Sequence, residues 1–360
     1  MSQLFEASRQ WANRPADQRF TSLHALGTHF SQLRDDSRAT VVSSRRVQAA
    51  PAREDEKNGL VIYGPSGSAY APTHHAFGQL SQLAGAPAGY LRTLPAPVAA
   101  DCINYGLQFS RDVEDVGLLL QRGGTLRAAT GPRYGRIWND DIVRGLVDTF
   151  GDGITGRFKV PGEFGQDVAV TKANTTLYGS DRDMFVFLAD EHNRISIDNR
   201  RDGRPGSLAR GFFCWNSEVG SATFGIKAFL FDYVCCNRIV WGAQDVQTLT
   251  IRHTASAPDK FLEQAEPVLL AYANSSAHAL ETTLANAQRA RLDNVDEWLA
   301  KRFGARTADK VSAAHMADEG RPIETIWDAV TGATAYARTI ANQDARVDFE
   351  TAAGSLLDLV

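Results

Sequence analysis

No stretch of the 360 residues runs for roughly 18 apolar positions without a charge, so nothing in the chain reads as a membrane-spanning helix. The opening segment MSQLFEASRQWANRP lacks the apolar run of a secretory signal, and the expectation is a cytoplasmic protein with no membrane partner. Cysteine is scarce. The four present, Cys102, Cys214 and the adjacent Cys235 and Cys236, are spaced neither as a disulfide framework nor as a zinc knuckle, and they read as small core residues. Lysine is scarcer still relative to arginine, 7 against 31, a bias that GC-rich coding also produces but that favours bidentate grips on phosphate or carboxylate. The GxSxG, GxxxxGK[ST], HExxH and DxDxDG patterns are absent, so the common hydrolase, ATPase, metalloprotease and EF-hand chemistries lack their signatures. One GxGxxG does occur, at Gly151, Gly153 and Gly156, but it follows a helical pattern instead of opening one, and it reads as a helix stop and turn.

What is present is an ordinary globular composition: 43% hydrophobic, 22% charged, mean hydropathy -0.27, net charge -4. Charge is uneven along the chain. Residues 120–260 hold 18 basic and 16 acidic side chains, whereas residues 261–360 hold 9 and 15.

The periodicities divide the chain into three parts. Residues 1–57 predict an N-terminal arm, with a helix over 22–33, a β-prone stretch over 39–47 and a charged linker over 52–58. Residues 58–257 predict an α+β core. Thr73 is placed to cap a helix that Gly85 and Pro87 stop, a third helix starts at Pro97, and Gly123-Gly124 joins two β-prone runs as a hairpin. Asn139 is placed to cap an amphipathic helix carrying Ile142, Val143, Leu146 and Phe150 on one side. From Asp167 to His253 the pattern is strand after strand, several apolar on both faces, which predicts a central, mainly antiparallel sheet covered by helices. Residues 258–360 return to spacings of three and four and predict a C-terminal helical region: a long helix or αα-hairpin to about Phe303, then helices over 324–340 and 344–357.

Four segments carry candidate chemistry. In GPRYGRIWNDDI, Arg133 and Arg136 flank Tyr134 in a glycine-rich loop, an arrangement suited to phosphate and base stacking, or to a plain turn. In YGSDRDMFVFLAD, Asp181 and Asp183 pair as carboxylates for a divalent cation such as Mg²⁺, or as turn caps. ARGFFCWNSEVGSATFGIK concentrates Arg210, Asn216, Glu218 and Lys227 in an expected hairpin, as a ligand cluster or a buried ion pair. NRIVWGAQ, followed by IRHT, adds Arg238, Arg252 and His253, the histidine as a general base or a structural strand end.

Taken in order, THHAFGQLSQLAGAPAGYLRTLP, RYGRIWNDDIVRGL, SDRDMFVFLAD, RGFFCWNSEVG and NRIVWG followed by IRHT resemble the phage/plasmid-like protein family, a domain-of-unknown-function family of tailed phages, prophages and conjugative plasmids. The resemblance spans roughly residues 60–255, with an echo in TIWDAVTGATAYAR. It implies a mobile-element setting in which DNA is handled, and carries no catalytic residue set.

Three functions follow as expectations. The first is a cytoplasmic accessory protein that binds or anneals single-stranded DNA through Arg133, Tyr134, Arg136, Arg210, Lys227, Arg238 and Arg252, as a ring or other homo-oligomer and without a cofactor. The second is a Mg²⁺-dependent enzyme or ligand-binding protein built on Asp181, Asp183, Asn216, Glu218 and His253. The third is a protein-interaction module that docks on a host system through its acidic C-terminal helices.

Overall fold

A computed structural model describes residues 14–52, 59–64, 67–109, 114–160, 169–190, 195–197, 206–232, 238–239, 249–274, 278–340, 349–350 and 352–360. Cys235, Cys236 and most of the expected charged linker lie outside the described residues.

The fold is α+β, with two sheets and a helical C-terminal region. The larger sheet runs β1 (Arg19–Phe20), β9 (Leu177–Gly179), β10 (Met184–Asp190), β12 (Gly206–Asn216), β13 (Phe224–Asp232) and β14 (Arg238–Ile239). The short strands β8 (Phe158–Lys159), β11 (Ile195–Ile197) and β15 (Leu249–Ile251) pair with β10, β12 and β13. Every pairing in it is antiparallel. The smaller sheet runs β2 (Ser37–Ser43), β6 (Asp115–Gln121), β7 (Thr125–Thr130), β5 (Ala69–Pro72), β4 (Leu60–Tyr63) and β3 (Gln48–Pro51), with β5 and β7 parallel. The sequence pattern predicts one central sheet; the second arises because β2 from the N-terminal segment joins the β6–β7 hairpin along its full length.

Helix α1 (Leu23–Asp35) starts where the Ser22 hydroxyl accepts the Ala25 amide at 3.1 Å, and it buries Leu23, Leu26, Phe30 and Leu33 along one stripe. It shares a core with α5 (Asn139–Phe150) and α6 (Ala257–Asn274) over the face of the large sheet that presents Val186, Phe212, Cys214 and Phe224. Helices α2 (His74–Leu83), α3 (Ala88–Leu91) and α4 (Ala96–Phe109) cover the small sheet. Thr73 caps α2 as its position predicts, accepting the Ala76 amide at 3.1 Å. The C-terminal region has its own core from α7 (His278–Arg289), α8 (Val295–Phe303), α9 (Ala305–Glu319) and α10 (Ile326–Ala337), the last begun by a reciprocal Thr325–Asp328 capping box. Of the run expected as a helix over 344–357, residues 344–348 and 351 lie outside the described residues; 349–350 and 352–354 are helical, and the run closes in a 3₁₀ turn, Ser355–Leu359.

Two-sided burial of the central strands holds. Residues 184–190 are all buried, and β12 divides Phe212 and Cys214 to the helix-covered face from Phe213 and Trp215 on the other, where Tyr178, Phe185 and Phe187 join them. Trp215 is opposite Gly225 in register, and a Cβ there would stand 2.0 Å from the indole, so only glycine lets the ring lie on the neighbouring strand. The GxGxxG run forms the expected helix stop: Gly151 ends α5 at φ 85°.

Candidate functional site

The chemistry collects where the 131–139 loop, the β12–β13 turn and the segment after β15 meet. Glu218 lies in that turn and is buried, 1% exposed, against the 0%-exposed side chain of Arg127 from β7 at 2.9 Å. Its other oxygen accepts the Asn139 amide at 2.9 Å. Helix α5 is therefore capped by a carboxylate from 79 residues away, at the end where the helix dipole favours negative charge. Asn139 itself is not the cap: it is the first helical residue, and its side-chain oxygen accepts from Asn216 Nδ2 at 2.8 Å, while that same amide also reaches the Ile137 carbonyl at 2.9 Å. Asn216 and Glu218 thus face one side, as their spacing predicts, and together they fix the start of α5. Arg127 also donates to the Asp181 carbonyl at 2.9 Å and to Ser37 Oγ at 3.0 Å, which ties both sheets to this point.

Above this buried pair stands a ladder of alternating cations and rings. Arg34 lies 5.4 Å over Trp138, Arg136 lies 5.6 Å from Trp138 and 5.3 Å from Tyr134, and Tyr134 stacks on His253 at 4.9 Å and 23°. The Tyr134 hydroxyl donates to the Ser217 carbonyl at 2.8 Å, and burial pushes its phenol well above the ordinary range. His253 Nδ1 meets the Gly135 carbonyl at 3.0 Å, and the Gly135 amide donates to the His253 carbonyl at 3.3 Å. A Cβ at Gly135 would fall 1.9 Å from the Thr254 carbonyl oxygen, so this close crossing of the two segments requires glycine. Arg133 and Arg252, on the two crossing segments, are both exposed.

Arg136 differs from the other ladder arginine. Arg34 is held by Asp140 at 3.1 Å and by Asp141 at 2.5 Å, whereas Arg136 Nε and Nη1 are buried with no acceptor. Desolvation is the main cause of a lowered guanidinium pKa at Arg136. The charge itself remains, because guanidinium does not deprotonate in proteins.

The remaining expected residues stand elsewhere. Arg210 does not reach this surface: it is buried, 3.0 Å from Asp190, which also holds Arg157 at 2.9 Å, and its guanidinium lies over Phe158 and Tyr272. Lys227 is half-buried opposite Phe213, on the aromatic face of the large sheet, and desolvation lowers its pKa. Arg238 is in β14, and its side chain lies outside the described residues.

The alternative metal set is not assembled. Asp183 binds Arg14 at 2.7 Å and Ser180 Oγ at 2.8 Å as part of a turn, Asp181 is exposed, Glu218 belongs to Arg127, and His253 stacks on Tyr134. Among the described residues no three or more His, Cys, Asp or Glu side chains group as metal ligands.

Sequence reading missed Arg127, Arg34, Trp138, His75 and Gln79. The last two both bond the Val219 carbonyl from α2, at 3.2 and 2.7 Å, and so hold the β12–β13 turn in place. Only Arg127 had a local signal, a charge inside the apolar run TLRAAT. No protein-family model, no curated protein and no solved structure matches the chain.

Proposed function

We propose that the 131–138 loop and the 252–254 segment bind the backbone of single-stranded nucleic acid. The observation that carries this reading is the Arg136 guanidinium: it is fixed between Tyr134 and Trp138, largely withdrawn from water, and without an acceptor for Nε or Nη1. A buried cation left unpaired is costly, and a phosphate oxygen would supply the missing charge and acceptors. Arg133 and Arg252, exposed on the joined segments, add two further phosphate contacts, and the Tyr134–His253 pair offers ring area for a base. Three separate guanidiniums beside stacked rings suit a flexible strand; a duplex would call for a protruding helix or a long basic stripe. The resemblance to the phage/plasmid-like family supports the same reading by association, through its mobile-element setting. A cytoplasmic location and assembly as a ring or other homo-oligomer belong to the same proposal.

The test is fluorescence anisotropy of a labelled oligothymidine across a salt series. Three phosphate contacts on a single strand predict a log–log salt slope of about -2, and Arg133→Ala or Arg252→Ala should each flatten it by about 0.7. Absence of binding at low salt, or a slope that neither substitution alters, ends this reading.

A further inference from the structure

Helices α5 and α6 do not close completely over the large sheet. Between them lies a cleft of about 240 Å³ lined by Phe261 and Leu262 beside Ile142, Phe224, Ile226 and Leu269, the last four at most 4% exposed. Leu262 forms its lip and is 69% exposed, a large apolar side chain left in water at the mouth of an apolar recess. The volume is below the roughly 300 Å³ at which pockets for drug-sized ligands begin, so an occupant must be small.

Gly145 lines the same cleft from the middle of α5. Glycine inside a helix is destabilising relative to alanine, and packing often explains its presence. Here it does not: no heavy atom lies within 4 Å of the position a Cβ would occupy. The missing side chain keeps the recess open.

The rim is acidic. Asp148 and Glu266 are exposed at its edge, and neither has an ion-pair partner among the described residues. Arg144, the one cation lining the cleft, is held by Asp140 at 2.6 Å, and Asp141 by Arg34 at 2.5 Å. Two uncompensated carboxylates above an aliphatic and aromatic floor repel anions and offer a sugar few polar partners. An apolar body bearing one ammonium group satisfies both parts.

We infer that the α5–α6 cleft is a binding site for a small lipophilic amine, its ring or branched chain against Phe261 and Leu262 and its ammonium beside Asp148 and Glu266. Isothermal titration of the full chain with tryptamine, indole and indole-3-acetate tests this. Tryptamine should bind in the submillimolar range, indole more weakly, and the acetate not at all. Gly145→Leu fills the recess with a better helix former, so it should abolish tryptamine binding without lowering the melting temperature. The surface pair Asp148→Asn with Glu266→Gln should weaken tryptamine at least about fivefold and leave indole unchanged. No heat from tryptamine at millimolar concentration, equal binding by Gly145→Leu, or equal affinity for the acetate would each overturn the assignment.

Discussion

Arg210 and Arg136 both lie among aromatic rings, and in the sequence both sit in runs rich in arginine and aromatic residues, yet only Arg210 has a carboxylate bonded to it. It shares the fully buried Asp190 with the partly exposed Arg157, and Arg210 itself is buried. Arg136 is gripped by rings on both sides and faces no carboxylate, while the nearest buried acid, Glu218, is committed to Arg127 and to the start of α5. The comparison separates an arginine that holds the fold together from one that is held in place by the fold. Residue type and aromatic neighbours do not distinguish the two; the location of the opposite charge does.

Breaking the cancelled pairs should have the largest effect. Glu218→Gln leaves Arg127 charged and buried and removes the anionic cap of α5, so urea denaturation should show a loss of about 3–5 kcal/mol. Arg210→Met should cost about 3 kcal/mol, at the lower end because Arg157 remains on Asp190. The equivalent change at the other arginine should behave oppositely: Arg136→Met keeps the stack with Tyr134 and Trp138 while deleting an unpaired cation. Its stability should stay within about 1 kcal/mol of the parent or rise, and oligothymidine binding should fall. A destabilisation of Arg136→Met as large as that of Arg210→Met would erase the distinction.

The smallest effect concerns protons. Burial is the main cause that lowers the His253 pKa, the Gly135 carbonyl opposes it, and the Arg136 charge lowers it further. A histidine whose folded pKa lies below the unfolded value of about 6.5 stabilises the native state fully above that pH. The contribution is lost as pH falls through 6.5 toward the folded value. In Arg136→Met the neighbouring charge is gone, so the His253 pKa should move up and the acid loss of stability should shrink, readable as a shifted NMR titration of the imidazole. An unmoved titration would place Arg136 electrostatically apart from His253.

Much of the fold was legible because local rules and burial agree. The Thr73 cap, the Gly123-Gly124 hairpin, the Gly151 stop and the two-sided apolar pattern of FFCW each depend on residues a few positions apart, and each is found in place. The site was legible in part. Tyr134 and Arg136 do pack together, but against His253, which the sequence reading assigned to the alternative metal set; Glu218 is bonded to an arginine beside the core, but its partner Arg127 is 91 residues away. Asn139 shows the limit most clearly: its type and position fit a local cap, but Glu218 answers the backbone and frees the side chain for Asn216.

Period and turn chemistry act through neighbours in the chain, so the sequence by itself determined locally capped starts such as that at Thr73, which faces are apolar, and that the class is α+β. Charge cancellation acts through space and depends on which distant segments are brought within hydrogen-bond reach. Only the tertiary structure therefore decided that Arg210 is buried against Asp190, that Asp183 serves a turn, and that Arg136, unlike Arg210, has no salt-bridge partner among the described residues.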